Sequence, residues 1–242
     1  MIYGFFSDIH SNLPALEAVL HSMQQKGVQK HICLGDLVGY GPNPEECVAI
    51  IRKVAACTIL GNHDNVMVGR ELPEYFNSNA LKIIEWTKAH ISEDSINYLK
   101  TLPYMAEENN MLFVHASPKS PADWFYVTGL DDAVDAFDFF TQELCFIGHT
   151  HCPIIVVREP SGSFRVVDES TCKLKPGERA LVNVGSVGQP RDRDSRSSWC
   201  LYNSETKEIE LVRVEYNIDS IQSVMQEMEF PPFLIQRLAE GR

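Results

Sequence analysis

The sequence predicts an α/β fold that contains a parallel β-sheet. In the first quarter of the 242 residues, short apolar runs alternate with segments in which apolar side chains recur at helical spacing. The predicted order is strand, helix, strand, helix, strand, which is typical of parallel strands joined by right-handed crossovers. The composition, 44% hydrophobic and 22% charged, is that of a globular protein with a sizeable core.

The first predicted strand covers residues 2–7. Asn12 can cap the helix that follows, Pro14 lies in its first turn, and Gly27 ends it. The second strand, residues 31–34, leads into a turn rich in glycine.

This turn, residues 35–42, precedes a helix predicted over residues 44–54, which Asn43 can cap. A third strand covers residues 57–60. Open α/β sheets bind ligands at the carboxyl ends of their strands, so Asp36 lies at the predicted ligand edge.

The rest of the chain changes from helical to mainly β patterning. Residues 66–102 are predicted to form a helical insertion, with helices over 80–91 and 92–102. Further strands are predicted over 111–114, 144–147, 154–158, 164–168, 181–184, 199–202 and 209–215, and further helices over 131–140, 218–228 and 232–239.

Charge and composition exclude several functions. The formal net charge of -12 argues against a nucleic acid polymer as partner. No apolar run approaches the roughly 18 residues of a membrane span, and the N-terminus lacks the pattern of a signal peptide. Seven cysteines without a Cys-x-x-Cys pair indicate free thiols and a cytoplasmic protein.

Five predicted strand ends carry side chains that bind metals. They are Asp8-x-His10, Asp36, Asn62-His63-Asp64, His115 and His149-x-His151. Residues two apart in an extended chain point the same way and can bind one ion together. Oxygen and imidazole ligands without thiolates suit manganese, iron, zinc or magnesium. A carboxylate with ligands on both sides can hold two ions roughly 3.5–4 Å apart.

Each block alone has a simpler explanation. Asp8-x-His10 could be a capped turn, Asn62-His63-Asp64 a turn and helix cap, His115 a satisfied histidine, and His149-x-His151 an exposed edge pair. Five of the eight histidines nevertheless fall in these blocks, and the combination favours a metal centre. The remaining histidines, His21, His31 and His90, are interpreted as structural or surface residues, and Cys152 as a small buried residue.

In this order, the blocks resemble the calcineurin-like metallophosphoesterase superfamily over residues 8–151. Residues 183–192 resemble a block of its bacterial and archaeal phosphodiesterase-like branch, with Val184 where that branch usually has proline. The resemblance implies one domain over residues 1–242, a four-layer αββα sandwich of two mixed β-sheets flanked by helices. It places the later strands in the second sheet and makes residues 66–102 a small helical cap over the site.

The resemblance also assigns the ligands. One ion would be held by Asp8, His10, Asp36 and His151, and the other by Asp36, Asn62, His115 and His149. Asp36 would bridge the two ions, and His63 would be a catalytic residue that faces the substrate. Two manganese ions are expected, with iron, zinc, magnesium, cobalt or nickel as alternatives.

The implied activity is hydrolysis of a small phosphorylated or nucleotide substrate, most simply a phosphodiester. A metal-bridging hydroxide would attack phosphorus, and protonated His63 would donate to the leaving oxygen. The alternatives are a dinucleoside polyphosphate hydrolase, a protein phosphatase, or a metal-binding scaffold without activity. Scaffold relatives typically lack the histidine that corresponds to His63.

At two positions this chain differs from well-known branches of the superfamily. Protein phosphatases and symmetrical dinucleoside-tetraphosphatases have a phosphate-binding arginine where this chain has Tyr40. Protein phosphatases also have an aspartate that orients the catalytic histidine where this chain has Gly39. Tyr40 is therefore predicted to shape the substrate side, and Asn183 and Arg191 to supply second-shell and phosphate contacts.

Simpler roles remain for some of these residues. Arg191 could instead form a surface salt bridge with Asp192 or Asp194. Three aromatic residues of the insertion could stack on a base or pack its own helices: Tyr75, Phe76 and Trp86. The sequence contains no signal for the oligomeric state.

Overall fold

Two six-stranded β-sheets pack face to face, with helices on their outer faces. The computed structural model describes residues 1–70 and 78–242. The strands are β1 (Ile2–Phe6), β2 (Lys30–Cys33), β3 (Cys57–Thr58), β4 (Met105–Glu108), β5 (Met111–Val114), β6 (Leu144–Ile147), β7 (Ile154–Arg158), β8 (Phe164–Val166), β9 (Thr171–Lys173), β10 (Arg179–Asn183), β11 (Ser197–Asn203) and β12 (Glu208–Val214). The helices are α1 (Leu13–Gln25), α2 (Pro44–Val54), α3 (Asn62–Met67), α4 (Ser78–His90), α5 (Glu93–Thr101), α6 (Leu130–Ala136), α7 (Ile218–Glu227) and α8 (Pro232–Glu240).

Both sheets are mixed, as predicted. The first has the order β3-β2-β1-β11-β12-β9, and the second has the order β4-β5-β6-β10-β7-β8. Strands β1 to β3 run parallel in the first sheet, and β5, β6 and β10 run parallel in the second. The fold is the predicted four-layer sandwich.

The prediction that the later strands all enter the second sheet is wrong. Strand β11 pairs antiparallel with β1, with Ile2 opposite Asn203, and β12 and β9 then extend the first sheet. Strands β5 and β6 lie in the second sheet instead. The two sheets therefore both lead into the predicted ligand blocks.

The core between the sheets follows from alternation along β1. Phe5 faces the second sheet, where its ring stacks on Phe146 with centroids 3.6 Å apart. Phe6 faces the opposite way, into a cluster with Leu16 and Val19 of α1. On the far side, α6 covers the outer face of the second sheet. Alternate side chains thus bury both faces of the strand.

Local capping explains where the first helices begin. Asn12 Oδ1 accepts a hydrogen bond from the Ala15 N–H (3.2 Å) and so caps α1 as predicted. Asn43 occupies the N-cap position of α2, but its side chain makes no capping hydrogen bond, contrary to the prediction. The short helix α3 was not predicted as a helix.

The helices α4 and α5 pack beside α2, with Ile84 and Leu99 in the same cluster as Ile51. The Trp86 ring stacks on that of His90, with centroids 4.0 Å apart, and its centroid lies 4.9 Å from that of Phe230. These contacts favour a packing role for Trp86. Tyr75 and Phe76 lie outside the described residues. That this segment is a cap over the site stays a prediction.

Two further properties bear on the expectations from composition. All seven cysteines are free thiols. Within the described ranges, each helix is too short or too polar to cross a membrane.

Candidate metal centre

The predicted metal ligands come together where loops from both sheets meet. Among residues 1–70 and 78–242, three groups of side chains have potential ligand atoms within 4.8 Å of one another. They are Asp8 with His10 and His151, Asp36 with His115 and His149, and His10 with Asp36 and His63. The first two groups each contain three of the four residues of one predicted ligand set, and Asn62 Oδ1 lies 3.2 Å from His115 Nε2 beside the second.

The backbone is strained at these positions. Five residues of the ligand blocks have positive φ angles: Asp8 (54°), His10 (50°), Asp36 (53°), His149 (68°) and His151 (62°). Non-glycine residues rarely adopt this conformation, and such strain is concentrated at functional sites. Five of the seven predicted metal ligands therefore lie at strained backbone positions.

Three imidazoles are fixed in one tautomer by backbone carbonyls. The Nδ1 bonds join His10 to Val38 (3.1 Å), His115 to Leu34 (2.8 Å) and His151 to Gln189 (2.6 Å). Because a carbonyl oxygen only accepts, each Nδ1 must carry a proton. The Nε2 atoms are then directed at the centre, in the arrangement that protein ligands of metals commonly show.

In the first ligand group, which contains Asp8, His10 and His151, the lone pairs of the potential ligand atoms face one another. His10 Nε2 and His151 Nε2 lie 3.1 Å apart, and Asp8 Oδ1 lies 3.1 Å from His151 Nε2. Neutral imidazoles protonated at Nδ1 have no proton to place in either contact. Asp8 Oδ1 and His149 Nε2 are buried and lack hydrogen-bond partners among the described residues. A divalent cation would satisfy these atoms, so the donor set fits a metal ion.

Electrostatics agree with this assignment. Burial lowers the pKa of His10 well below its usual value and lowers that of His151. Burial, followed by the charge of His115, lowers the pKa of His149 to about 3. These rings are neutral at pH 7, which is the form that binds metals.

Asp36 lies between the two groups. Its Oδ2 is 3.7 Å from His10 Nε2 and 3.4 Å from His115 Nε2, which is the position predicted for a bridge. Burial raises the pKa of Asp36, but the combined effect of His115, His63 and His10 outweighs it and holds that pKa well below the usual value. Conversely, burial lowers the pKa of His115, but the charges of Asp36 and Asp8 raise it to about 9.

Metal binding to protein stripped of metal is expected to release about one proton per chain from His115 near pH 7.5, besides any proton lost by metal-bound water. With a pKa of about 9, His115 is charged there and must lose its Nε2 proton to become a ligand. Calorimetry in two buffers of different ionisation enthalpy measures the release. The proton release from His115 should fall to about half at pH 9. If metal binding releases no proton at pH 7.5, the assignment of His115 as a metal ligand is contradicted.

Backbone N–H groups hold the other oxygen of each carboxylate. Asp36 Oδ1 accepts from the His63 N–H, and Asp8 Oδ2 accepts from the His149 N–H, both at 2.9 Å. One oxygen of each side chain is thereby anchored, and the other faces the centre.

Asp64 ties two of the site loops together. Its carboxylate accepts hydrogen bonds from the N–H groups of Leu37 (3.0 Å), Val38 (3.2 Å) and Gly61 (3.1 Å). The possibility that this block caps a helix is thus realised at Asp64, while its neighbour Asn62 lies at the metal centre. Sequence reasoning had given Asp64 no further role.

His63 packs between His10 and Tyr40, with ring centroids 4.8 and 4.6 Å away. Gly39, at φ 95°, lies against its imidazole, and a Cβ on Gly39 would overlap His63 Nδ1. The backbone of Gly39 therefore occupies the place beside the ring. Burial, followed by the charge of Arg191, lowers the pKa of His63 to about 4, against the opposing effect of Asp36.

We expect Gly39→Ala to displace His63 without removing the metal ligands. Turnover should fall by about 100-fold, since small misplacements of reacting groups have effects of this size. Gly162→Ala is the matched control, because Gly162 has a similar φ of 91° but no neighbouring atom near the added Cβ. Both variants should lose more than about 1 kcal/mol of stability. Equal turnover in the two variants would contradict the contact.

The remaining predicted residues divide into two kinds. Asn183 is fully buried and bonds to Gly148 O (2.7 Å) and Thr150 Oγ1 (2.9 Å), so it positions the loop before His149. Its side chain has no exposed surface, so these bonds favour the second-shell role, and a contact with substrate stays a prediction. Arg191 is half-buried, and its Cζ lies 5.7 Å from the Tyr40 ring.

The alternative salt bridge of Arg191 is not found. Its guanidinium donates to Gln189 Oε1 (2.8 Å) and forms no ion pair with a described carboxylate. Asp192 pairs with Arg213, and Asp194 pairs with Arg196 at 2.7 Å. Arg191 is therefore available to an anion beside Tyr40.

Sequence reasoning missed an aromatic contribution to the site. The Trp124 ring lies 5.9 Å from His115, and the Tyr126 ring lies 4.3 Å from His149. The available signal was the run Trp124-Phe125-Tyr126 in the segment after His115. Nothing local in that run indicates which metal ligand it approaches.

The chain is similar to known proteins over nearly its whole length. A model of the calcineurin-like phosphoesterase superfamily domain matches residues 1–207. The chain is 40% identical to uncharacterized protein MJ0912 of Methanocaldococcus jannaschii, over 98% of this chain and 96% of that protein. It is 36% identical to a metallophosphoesterase from Sphaerobacter thermophilus of known structure, with a TM-score of 0.89 and coverage of 100% and 99%.

A more distant structure shares the fold. Hypothetical protein PH1004 from Pyrococcus horikoshii is 19% identical, with a TM-score of 0.79 and coverage of 100% of this chain and 98% of that one. The chain belongs to the calcineurin-like phosphoesterase superfamily. This membership supports phosphoester hydrolysis as its class of chemistry.

Proposed function

We propose that the protein is a dinuclear metal-dependent phosphodiesterase that acts on a small phosphorylated or nucleotide substrate. The observation that carries the proposal is the pair of buried ligand groups that meet at Asp36, with imidazole lone pairs facing one another. The first ion would be held by Asp8, His10, Asp36 and His151, and the second by Asp36, Asn62, His115 and His149. Two bound divalent ions would supply hydroxide near neutral pH and neutralise charge on the phosphate.

Side chains around the ligand groups would position the substrate and balance the negative charge of its phosphate. Oxygen atoms on phosphorus would enter between the ligand groups, in a protein of net charge -12 that otherwise repels anions. Arg191 would donate to the phosphate from the side of Tyr40. Tyr40, whose ring contacts both His10 and His63, would form the adjoining wall.

His63 would protonate the leaving oxygen. Since Nδ1 is buried against Gly39, we assign the transfer to Nε2. A pKa of about 4 leaves this ring mostly neutral before substrate binds, which differs from the protonated form that we first expected. An anionic phosphoester beside the ring would favour the protonated form.

The direct test is hydrolysis of bis(p-nitrophenyl) phosphate by protein reconstituted with single metals. Manganese is the first ion to test, followed by iron, cobalt, nickel, zinc and magnesium. We expect metal-dependent hydrolysis, faster for this diester than for p-nitrophenyl phosphate, and its loss with a chelator. No hydrolysis with any of the ions would favour the scaffold alternative, and faster monoester hydrolysis would contradict the diester assignment.

Arg191→Gln should raise KM for the diester by about tenfold or more, because it removes a charged hydrogen bond to the phosphate. Turnover at saturation should change less. Arg196→Gln is the matched control, since Arg196 is nearby in sequence and already paired with Asp194. An unchanged KM in the Arg191 variant would assign the phosphate contact to another residue.

A further inference from the structure

The loop between β5 and α6 brings an exposed aromatic ring, Tyr126, to the edge of the metal centre. We call residues 116–129 the aromatic loop; it follows His115 directly. Tyr126 lies with its ring 4.3 Å from that of His149, at an interplanar angle of 31°. Tyr126 is nevertheless 57% exposed, so its ring has surface left for a ligand. Its neighbour Phe125 is 48% exposed, with Lys119 Nζ 5.7 Å from its ring centroid.

The aromatic loop is held at several points. Val127 is buried against α6, and the Thr128 N–H and hydroxyl both donate to Asp132 Oδ2, at 2.8 and 2.6 Å. Trp124, at φ 56°, is packed between the rings of His115 and Tyr104. Strain of this kind persists only where the surroundings fix the backbone, so the exposed rings sit on a supported loop.

A large exposed ring beside a buried polar centre indicates a ligand surface. Ligand sites combine a few convergent polar groups with aromatic walls, and Tyr and Phe rings present flat faces at little entropic cost. Because Tyr126 contacts the ring of a predicted metal ligand, a group attached to the bound phosphate would pass beside it. The ring faces suit a flat group tethered to that phosphate.

We infer that Tyr126 forms a stacking platform for a nucleobase, so that the substrate class is a nucleoside phosphate ester. The inference rests on the proposed function, since it places the phosphate at the metal centre. It assigns base stacking to the loop after β5 and not to the helical insertion. Because stacking tolerates every base, the platform should favour nucleotides without strong selection among bases.

Calorimetry with the manganese-loaded full chain tests the inference. Adenosine monophosphate and ribose 5-phosphate share the sugar phosphate and differ in the base. We expect adenosine monophosphate to bind about tenfold tighter, which is within the range for one stacked base. In the double variant Phe125→Ala/Tyr126→Ala, the two ligands should bind within about twofold of each other.

Two further variants separate stacking from other effects. Tyr126→Phe keeps the ring and should keep the preference for adenosine monophosphate. Phe233→Ala removes an aromatic ring on α8 that is 55% exposed, and it should change nothing. Two results would overturn the platform. One is that native protein binds adenosine monophosphate and ribose 5-phosphate with nearly equal affinity. The other is that a tenfold preference for adenosine monophosphate survives in the double alanine variant.

Hydrolysis of methyl p-nitrophenyl phosphate, which lacks a base, tests the proposed function separately. We expect native protein and the Phe233→Ala variant to hydrolyse it at similar rates. If the native protein fails to hydrolyse it with any metal, the phosphodiesterase proposal is overturned. If hydrolysis holds and only the nucleotide preference is missing, the stacking inference alone is overturned.

Discussion

Asp36→Asn is expected to weaken metal binding by more than about 100-fold and to reduce hydrolysis at least as much. Even residues that only support metal ligands change affinity or activity by about 10–100-fold. Asp36 Oδ2 faces both ligand groups, 3.7 Å from His10 Nε2 and 3.4 Å from His115 Nε2. The substitution keeps the side-chain shape and removes the charge that the two ions would share.

Metal analysis of gel-filtered protein checks this result, with Asp8→Asn as the comparison. Asp8 belongs to the first ligand group, so its variant should keep one ion per chain more readily than Asp36→Asn does. Native folding is verified by circular dichroism. Two ions bound with native affinity in Asp36→Asn would show that Asp36 is not a bridge.

His63→Asn is expected to lower turnover by about 100- to 10,000-fold, the range for loss of a general acid or base. Metal content should be unchanged, because the backbone N–H of residue 63 still bonds to Asp36 Oδ1. The defect should depend on the leaving group. A p-nitrophenolate leaves readily without a proton, whereas an alkoxide does not, so esters of poor leaving groups should lose more activity.

The matched control is His21→Asn, which removes a histidine from the exposed face of α1, where it bonds to Gln25. It should leave metal content and turnover unchanged. If His63→Asn affects good and poor leaving groups equally, His63 does not protonate the leaving oxygen, and a role in binding or positioning would replace it.

The elements that the sequence predicted well depend on neighbours along the chain. The alternation that placed Phe5 and Phe6 on opposite faces, and the cap at Asn12, are local properties. The pairing of β1 with β11 joins residues about 200 positions apart, and no local pattern encodes it. Strand β4 reads Met-Ala-Glu-Glu, which lacks β-branched residues, and only its pairing with β5 makes it a strand.

The site shows the same division. Ligand residues could be predicted because each follows a recognisable apolar run, and their spacing matched a known family. The tautomers of His10, His115 and His151 could not, because Val38, Leu34 and Gln189 supply carbonyls from distant segments. Asn183 looked like a substrate contact in sequence, and only its burial and its bonds to residues 148–150 reveal a positioning role.

The division of the ligand blocks between the two sheets has a consequence for folding. Asp8 and Asp36 follow strands of the first sheet, while His115 and His149 follow strands of the second. An ion bound by Asp36 together with His115 and His149 would be a non-covalent cross-link between the halves of the sandwich. Ligands that bind only the native state stabilise it by mass action, so free metal concentration would set the resistance of this protein to unfolding. The metal centre would then also couple the two sheets, so that they unfold as one unit.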